Sequence, residues 1–151
     1  PCLLAKARQK NLGKVAKEKR ADVPGGRLFF DISSVKRVSF GGSKFWLLIV
    51  DDATDFCFSY FLKQKSDTAE RIVSLIKELK ATYNIEVKKM RCDNAGENKA
   101  AEKLCTENGL GVMFEYTAPN TPQQNGRVER SWLRHRRCYD KCPYRHFCKG
   151  R

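Results

Sequence analysis

The sequence predicts an α/β domain, in which a five-stranded mixed sheet is flanked by helices. At 151 residues the chain has the length of one domain with a single core. Three apolar segments near the start follow one another with short connections, and helical and extended patterns alternate after them. A three-stranded meander followed by helix, strand, helix, strand and helix is typical of a mixed sheet with helices packed against it.

The first strand is indicated by an alternation that begins at residue 28. Leu28, Phe30 and Ile32 share one face, and Phe29 and Asp31 share the other. The extended pattern can continue as far as residue 40. A carboxylate therefore interrupts an otherwise apolar strand.

The next two strands follow closely along the chain. A Gly41-Gly42 connection between apolar runs is typical of an antiparallel hairpin. The second strand is expected over residues 44–52, and its continuous apolar run from Phe45 to Val50 indicates that both of its faces are covered. A third strand is expected over residues 56–62.

A long helix is expected between Asp67 and Asn84. Glu70 lies three residues after Asp67, which is a capping pattern for a helix start. The apolar positions of this segment fall on one helical face; they are Ile72, Leu75, Ile76, Leu79 and Tyr83.

The remaining elements are shorter. A fourth strand is expected over residues 85–92, and a short helix follows it and stops at Asn108-Gly109. A fifth strand is expected over residues 111–116. After a loop rich in Pro, Asn, Thr and Gln, a last helix is expected to begin between residues 123 and 127.

The positive charge of the chain is concentrated at its two ends. Residues 1–27 hold eight Lys or Arg against two acids, and residues 127–151 hold nine against two, while the centre is neutral. Basic arms suit a polyanionic partner, because neutralised phosphates release their counterions. Basic ends that only keep the chain soluble are the alternative. No apolar run approaches the roughly 18 residues of a membrane span, so no membrane partner is expected.

The seven cysteines indicate reduced thiols in an intracellular protein, because their number is odd and four are scattered singly. The last three, Cys138, Cys142 and Cys148, lie in a short basic tail. Their spacing lacks the paired C-x2-C knuckles of a zinc site. We therefore expect no zinc there and a poorly ordered tail.

Three carboxylates have unusual positions for purely structural residues. Asp31 interrupts a strand, Asp93 ends the fourth strand beside a Gly-containing turn, and Glu129 lies at a helix start. If the fourth strand joins the first in parallel, these acids converge, and converging carboxylates require cations. Two Mg²⁺ ions would meet that need and support phosphodiester displacement. Taken singly, each acid can also be explained as a turn, strand-end or helix-start residue.

Four segments together resemble the catalytic core of retroviral-type integrases, specifically those of copia-type LTR retrotransposons. The resemblance covers roughly residues 24 to 132, with the segments in the family's order and spacing. The matching segments are Leu28-Phe29-Phe30-Asp31-Ile32-Ser33, Leu48-Ile49-Val50-Asp51-Asp52-Ala53-Thr54, Arg91-Cys92-Asp93-Asn94-Ala95-Gly96-Glu97-Asn98 and 117–130.

The resemblance implies an RNase H-like fold and a catalytic, metal-binding triad of Asp31, Asp93 and Glu129 with Mg²⁺ or Mn²⁺. It implies joining of element cDNA 3′-hydroxyls to target DNA, with DNA and further copies of the chain as partners. Such a protein would be cytoplasmic first and nuclear at integration. Residues expected to contact DNA, mainly at phosphates, are Asn94, Gln123, Asn125, Arg130 and Arg136.

Several nearby acids are not expected to bind metal. The resemblance implies that Asp51 and Asp52 are structural, and Asp55 is interpreted as a turn residue. Glu97 lies close to the Asp93 turn but is expected to start the following helix.

Three domains or segments are expected. Residues 1–26 form a basic linker trailing from an absent zinc-binding module, residues 27–137 form the catalytic core, and residues 138–151 form the tail. The segment from 131 to 151 lacks an apolar helical stripe and resembles degenerate coding sequence. Two alternatives therefore stay open, namely an inactive nucleic-acid-binding module and an RNase H-like nuclease.

Overall fold

The structure is a computed structural model that describes residues 19–35 and 41–117. Five strands and two helices lie in this part of the chain. In chain order they are β1 (Leu28–Ser34), β2 (Phe45–Asp51), β3 (Cys57–Leu62), α1 (Asp67–Tyr83), β4 (Lys89–Cys92), α2 (Gly96–Glu107) and β5 (Met113–Tyr116).

The five strands form one mixed sheet in the order β3-β2-β1-β4-β5. β1 and β2 are antiparallel, as are β2 and β3, so the first three strands form the expected meander. β4 joins β1 in parallel and β5 joins β4 in parallel. The α/β class and the five-stranded mixed sheet predicted from the sequence are therefore confirmed.

The main core lies between one face of the sheet and the two helices. Alternate strand residues such as Phe30 and Ile49 point into it. α1 contributes the expected apolar row except Tyr83, which is 65% exposed. The residues between them, Phe29, Leu48 and Val50, form a second buried cluster. Because strand side chains alternate between faces, Asp31 belongs with Phe29 on the face opposite the main core.

The start of α1 differs from the expected capping pattern. Ser66 occupies the N-cap without a side-chain hydrogen bond to the helix, and Asp67 is the first helical residue. The Asp67 carboxylate instead accepts a hydrogen bond from the Gln64 backbone N–H at 3.0 Å. Asp67 and Glu70 still place negative charge in the first turn, where the helix dipole favours it.

The fourth strand is shorter than predicted, because residues 85–88 pack against the chain before β1. The Lys88 N–H donates to the Gly25 carbonyl at 3.0 Å. Gly25 has a φ of 77°, and a Cβ there would lie 2.5 Å from Ile85 Cγ2. Only glycine fits this crossing, so Gly25 determines where the chain enters the sheet.

The second, third and fifth strands are also shorter than predicted, and β2 covers Phe45–Asp51 rather than residues 44–52. The third strand begins at Cys57 rather than at residue 56, and the fifth begins at Met113 rather than at residue 111. Gly111 has a φ of 63°, which is outside the extended range that a strand requires. The expected continuation of the first strand over residues 36–40 and the last helix lie outside the described residues.

Within residues 19–35 and 41–117, neither helix combines the length and the apolarity needed to cross a bilayer.

Candidate active site

Asp31 and Asp93 lie at the same end of two adjacent parallel strands. Leu28 is level with Met90 and Phe29 with Arg91 in the β1–β4 ladder. Asp31 lies two residues after Phe29, and Asp93 lies two residues after Arg91, just beyond the end of β4 at Cys92. Neighbouring strands lie about 4.8 Å apart, so side chains at the same level are within reach of one another.

The charges of both acids act on the buried thiol of Cys92. The pKa of the Cys92 thiol is raised to about 12, first by burial and then by the charges of Asp93, Glu102 and Asp31. Both Asp93 and Asp31 therefore act on the same side chain. At neutral pH Cys92 is an uncharged thiol in the core.

Asp31 is half-buried in the middle of β1. Its Oδ1 accepts a hydrogen bond from the Ile32 backbone N–H at 2.8 Å. β2 flanks it on the other side, where it is paired with Leu48, a fully buried residue. The strand thus holds a carboxylate at the border of an apolar cluster.

Asp93 is exposed and occupies the turn between β4 and α2. Its Oδ1 accepts hydrogen bonds from the Ala95 N–H at 3.4 Å and from the Asn98 amide Nδ2. The same Nδ2 donates to the Asp93 carbonyl at 3.1 Å. Both the backbone and the side chain of Asp93 are therefore held by the first turn of α2.

The remaining site residues expected from the sequence lie mostly outside the described residues. These are Glu129, Gln123, Asn125, Arg130 and Arg136. Asn94 is described, and it is exposed in the turn beside Asp93. Within residues 19–35 and 41–117, no group of three or more His, Cys, Asp or Glu side chains could hold a metal ion. The described acids form a pair rather than a triad.

Asp51 and Asp52 have structural roles. Both are almost fully buried, at 4% and 2% exposure. Asp51 accepts hydrogen bonds from the Gly25 N–H at 3.0 Å and from the Thr54 N–H at 3.0 Å. Asp52 accepts one from the Ala21 N–H at 2.8 Å. These carboxylates fasten residues 21–25 to the turn after β2, as the sequence interpretation expected.

Two other acids are held by ion pairs. Asp55 lies in the turn with a φ of 58° and pairs with Arg20 at 2.6 Å. Glu97 lies in the first turn of α2, where a hydrogen bond from Lys65 at 2.9 Å lowers its pKa. The expectation that Glu97 starts this helix is confirmed.

A group of cations lies on the neighbouring strands. Glu115 is approached by Lys89 at 3.0 Å, by Arg91 at 2.6 Å and by Arg27 at 3.7 Å. The Arg91 guanidinium also lies 5.7 Å from the centre of the Phe29 ring, on the Asp31 face of the sheet. Arg27 also lies 3.7 Å from the Asp52 carboxylate, so these cations are shared between two carboxylates.

Sequence interpretation missed the part played by Asn98. Its signal was present, because the buried residues of α2 are Asn98, Ala101 and Cys105, which follow helical spacing. An amide on the buried face of a helix requires a hydrogen-bonding partner. The Asp93 turn supplies that partner.

Sequence comparison finds relatives among transposon polyproteins. The chain is 32% identical over 94 residues to a retrovirus-related Pol polyprotein from transposon TNT 1-94 of Nicotiana tabacum. The aligned residues cover 61% of this chain and 7% of the relative. It is 27% identical over 103 residues to the corresponding polyprotein from transposon RE1 of Arabidopsis thaliana, covering 68% of this chain and 7% of the relative. The chain thus spans about 7% of the length of these curated relatives. No protein-family model matches it.

Structure comparison finds a likeness to a chain of a solved viral assembly. A chain of the simian T-cell lymphotropic virus intasome, solved in complex with PP2A regulatory subunit B56 gamma, has a TM-score of 0.58 and 17% identity. The match covers 83% of this chain and 46% of that chain. It confirms the RNase H-like fold class that the sequence resemblance implied.

Proposed function

We propose that this chain, an integrase-like segment related to the retrovirus-related Pol polyproteins of copia-type transposons, is a metal-dependent DNA strand transferase. The reaction we assign is the joining of retrotransposon cDNA 3′ ends to target DNA. The observation that carries the proposal is the parallel pairing of β1 with β4, because Asp31 and Asp93 each follow its last paired residues by two positions. A shared fold alone would not assign a reaction, because one fold supports many.

The donor set of the acidic pair fits Mg²⁺ or Mn²⁺. Asp31 and Asp93 offer carboxylate oxygens, which are the ligands that these hard cations prefer. The nearby Cys92 sulfur is buried. We propose that Asp31, Asp93 and Glu129 would hold two ions, although Glu129 lies outside the described residues. When bound, such ions activate the attacking hydroxyl and stabilise the leaving oxygen.

The chain's own residues would position the DNA. Asn94 is exposed beside Asp93 and can donate its amide to a phosphate oxygen. We propose the same kind of contact for Gln123, Asn125, Arg130 and Arg136. The basic ends of the chain would attract the polyanion.

The proposed partners and location follow from this reaction. Two cDNA ends must be joined to one target, so several copies of the chain would act together on DNA. The protein would be present in the cytoplasm before integration and in the nucleus when it acts.

A strand-joining assay tests the proposal. The chain is incubated with end-labelled DNA and Mg²⁺ or Mn²⁺, and joined products longer than the substrate are measured. We expect Asp31→Asn, Asp93→Asn and Glu129→Gln each to abolish joining and to leave DNA affinity in place. Glu97→Gln is the matched control, because this acid is close to the same turn but pairs with Lys65; it should retain most of the joining activity.

The two alternative functions give different results in this assay. A nuclease of the same fold would yield only shortened, hydrolysed products that depend on the metal. An inactive nucleic-acid-binding module would bind DNA and give neither product, with no difference between the wild-type chain and the Asp93→Asn variant.

A further inference from the structure

Asn98 is a buried amide that connects α2 to the proposed metal site. It is 3% exposed, in the first turn of the helix. Its Nδ2 donates both to the Asp93 carbonyl, at 3.1 Å, and to the Asp93 Oδ1. The two bonds hold the carboxylate against its own backbone. The described part of the chain supplies no hydrogen bond to the other carboxylate oxygen, Oδ2.

The orientation of the amide is determined by this contact. If its oxygen and nitrogen were exchanged, the Asn98 Oδ1 would face two Asp93 oxygens, which is repulsive. Only the donor can therefore face Asp93.

The other end of the amide is left without a partner. The Asn98 Oδ1 is buried and accepts no hydrogen bond from the described residues. A buried acceptor without a partner lowers the stability of a protein. A residue kept only for packing would be apolar here, like Ala101 and Cys105 on the same helical face. Compared with an apolar residue, the Asn98 amide adds the contact with Asp93.

We propose that Asn98 is a positioning residue for Asp93, an inference that rests on the proposed function. By holding Oδ1, Asn98 fixes the rotamer of the carboxylate and leaves Oδ2 available to a divalent cation. Partners that orient metal ligands in this way commonly change metal affinity by 10–100-fold when they are removed.

The test is a titration of the full chain with Mn²⁺ by calorimetry, together with thermal unfolding without metal. Asn98→Leu removes the donor and also the unpartnered oxygen and keeps the branching and the number of heavy atoms of the side chain. We expect the Kd for Mn²⁺ to rise about tenfold, while the unfolding temperature stays the same or rises. A role in structure alone would give the opposite result, with a lower unfolding temperature and an unchanged Kd.

Asn108→Leu is the matched control. Asn108 is at the other end of α2, where its Nδ2 donates to the Leu104 carbonyl at 2.9 Å. Removing that amide should lower the unfolding temperature and leave the Mn²⁺ affinity within about twofold of wild type, because the change is a full helix away from Asp93.

Asp93→Asn separates failure of this inference from failure of the proposed function. If Asp93→Asn weakens Mn²⁺ binding and Asn98→Leu does not, the positioning role is wrong and the metal site stands. If Asp93→Asn leaves Mn²⁺ binding unchanged, the proposed function fails as well.

A second measurement needs no variant and applies even if Asn98→Leu does not fold. The side-chain amide resonances of Asn98 and Asn108 are followed by NMR during titration of the wild-type chain with Mg²⁺. The Asn98 resonances should shift and those of Asn108 should stay in place. Mg²⁺ binding that leaves the Asn98 side chain unshifted would overturn the inference.

Discussion

Replacement of Asp51 by alanine should remove the buried carboxylate that joins Gly25 to the turn after β2. The Asp51 carboxylate accepts hydrogen bonds from the Gly25 N–H at 3.0 Å, from the Thr54 N–H at 3.0 Å and from the Thr54 Oγ1 at 2.6 Å. The carboxylate is 4% exposed. Alanine leaves the buried Gly25 N–H without an acceptor, whereas water can reach the exposed Thr54.

The expected cost in free energy of unfolding is about 3–5 kcal/mol. Hydrogen bonds to a charged group contribute about 1.5–3 kcal/mol each, and contributions within one network do not add fully. The total stability of a domain is roughly 5–15 kcal/mol, so this loss is a large part of it. In urea denaturation followed by tryptophan fluorescence, we expect the midpoint to fall by about 2 M.

Asp55→Asn is the matched control in the same turn. Asp55 has a φ of 58°, which asparagine tolerates as well as aspartate does. The variant loses an ion pair with Arg20 whose side chains are 48% and 56% exposed, and such pairs contribute less than about 1 kcal/mol. If Asp51→Ala were no more destabilising than Asp55→Asn, the structural role of the Asp51 carboxylate would be refuted.

Three further outcomes follow from the described contacts. Asp31→Asn should leave the free energy of unfolding without metal unchanged or raise it by up to about 1 kcal/mol, because it removes one of two nearby like charges; denaturant titration measures this. Raising the pH above 9 should lower stability, because the unfolded Cys92 thiol ionises near 9 while the folded thiol keeps its proton until about 12, and Cys92→Ala should make the pH dependence shallower. Glu115→Gln should cost about 1–3 kcal/mol in chemical denaturation, because the amide keeps only one of the two acceptor oxygens used by Lys89 and Arg91 and carries no charge.

The order of elements could be predicted from the sequence because it depends on local patterns. The alternation around Phe30 and Asp31 and the apolar row of α1 each record which residues face the core. The strand boundaries could not be predicted, because they depend on contacts with distant parts of the chain. Residues 85–88 have an extended pattern but pair with the segment at Gly25, sixty residues away in sequence.

The candidate site could likewise be predicted only in part from the sequence. The two acids could be identified from their unusual positions in the sequence. The parallel pairing expected between β1 and β4 then predicted that they lie at the same end of the sheet. The hydrogen bonds of the Asp51 and Asp52 carboxylates could not be predicted from local patterns, because their donors Gly25 and Ala21 come from the segment before β1. The burial of Asn98 could be predicted from its helical spacing with Ala101 and Cys105. Its partner could not, because the contact depends on the geometry of the Asp93 turn.

Anomalous diffraction from crystals of the chain soaked in Mn²⁺ tests most directly whether the strand pairing creates a metal site. The account predicts a manganese peak beside the carboxylates of Asp31 and Asp93, and loss of the peak in Asp93→Asn. A fully soaked crystal with no peak at this pair, or with the same peak in Asp93→Asn, would contradict it.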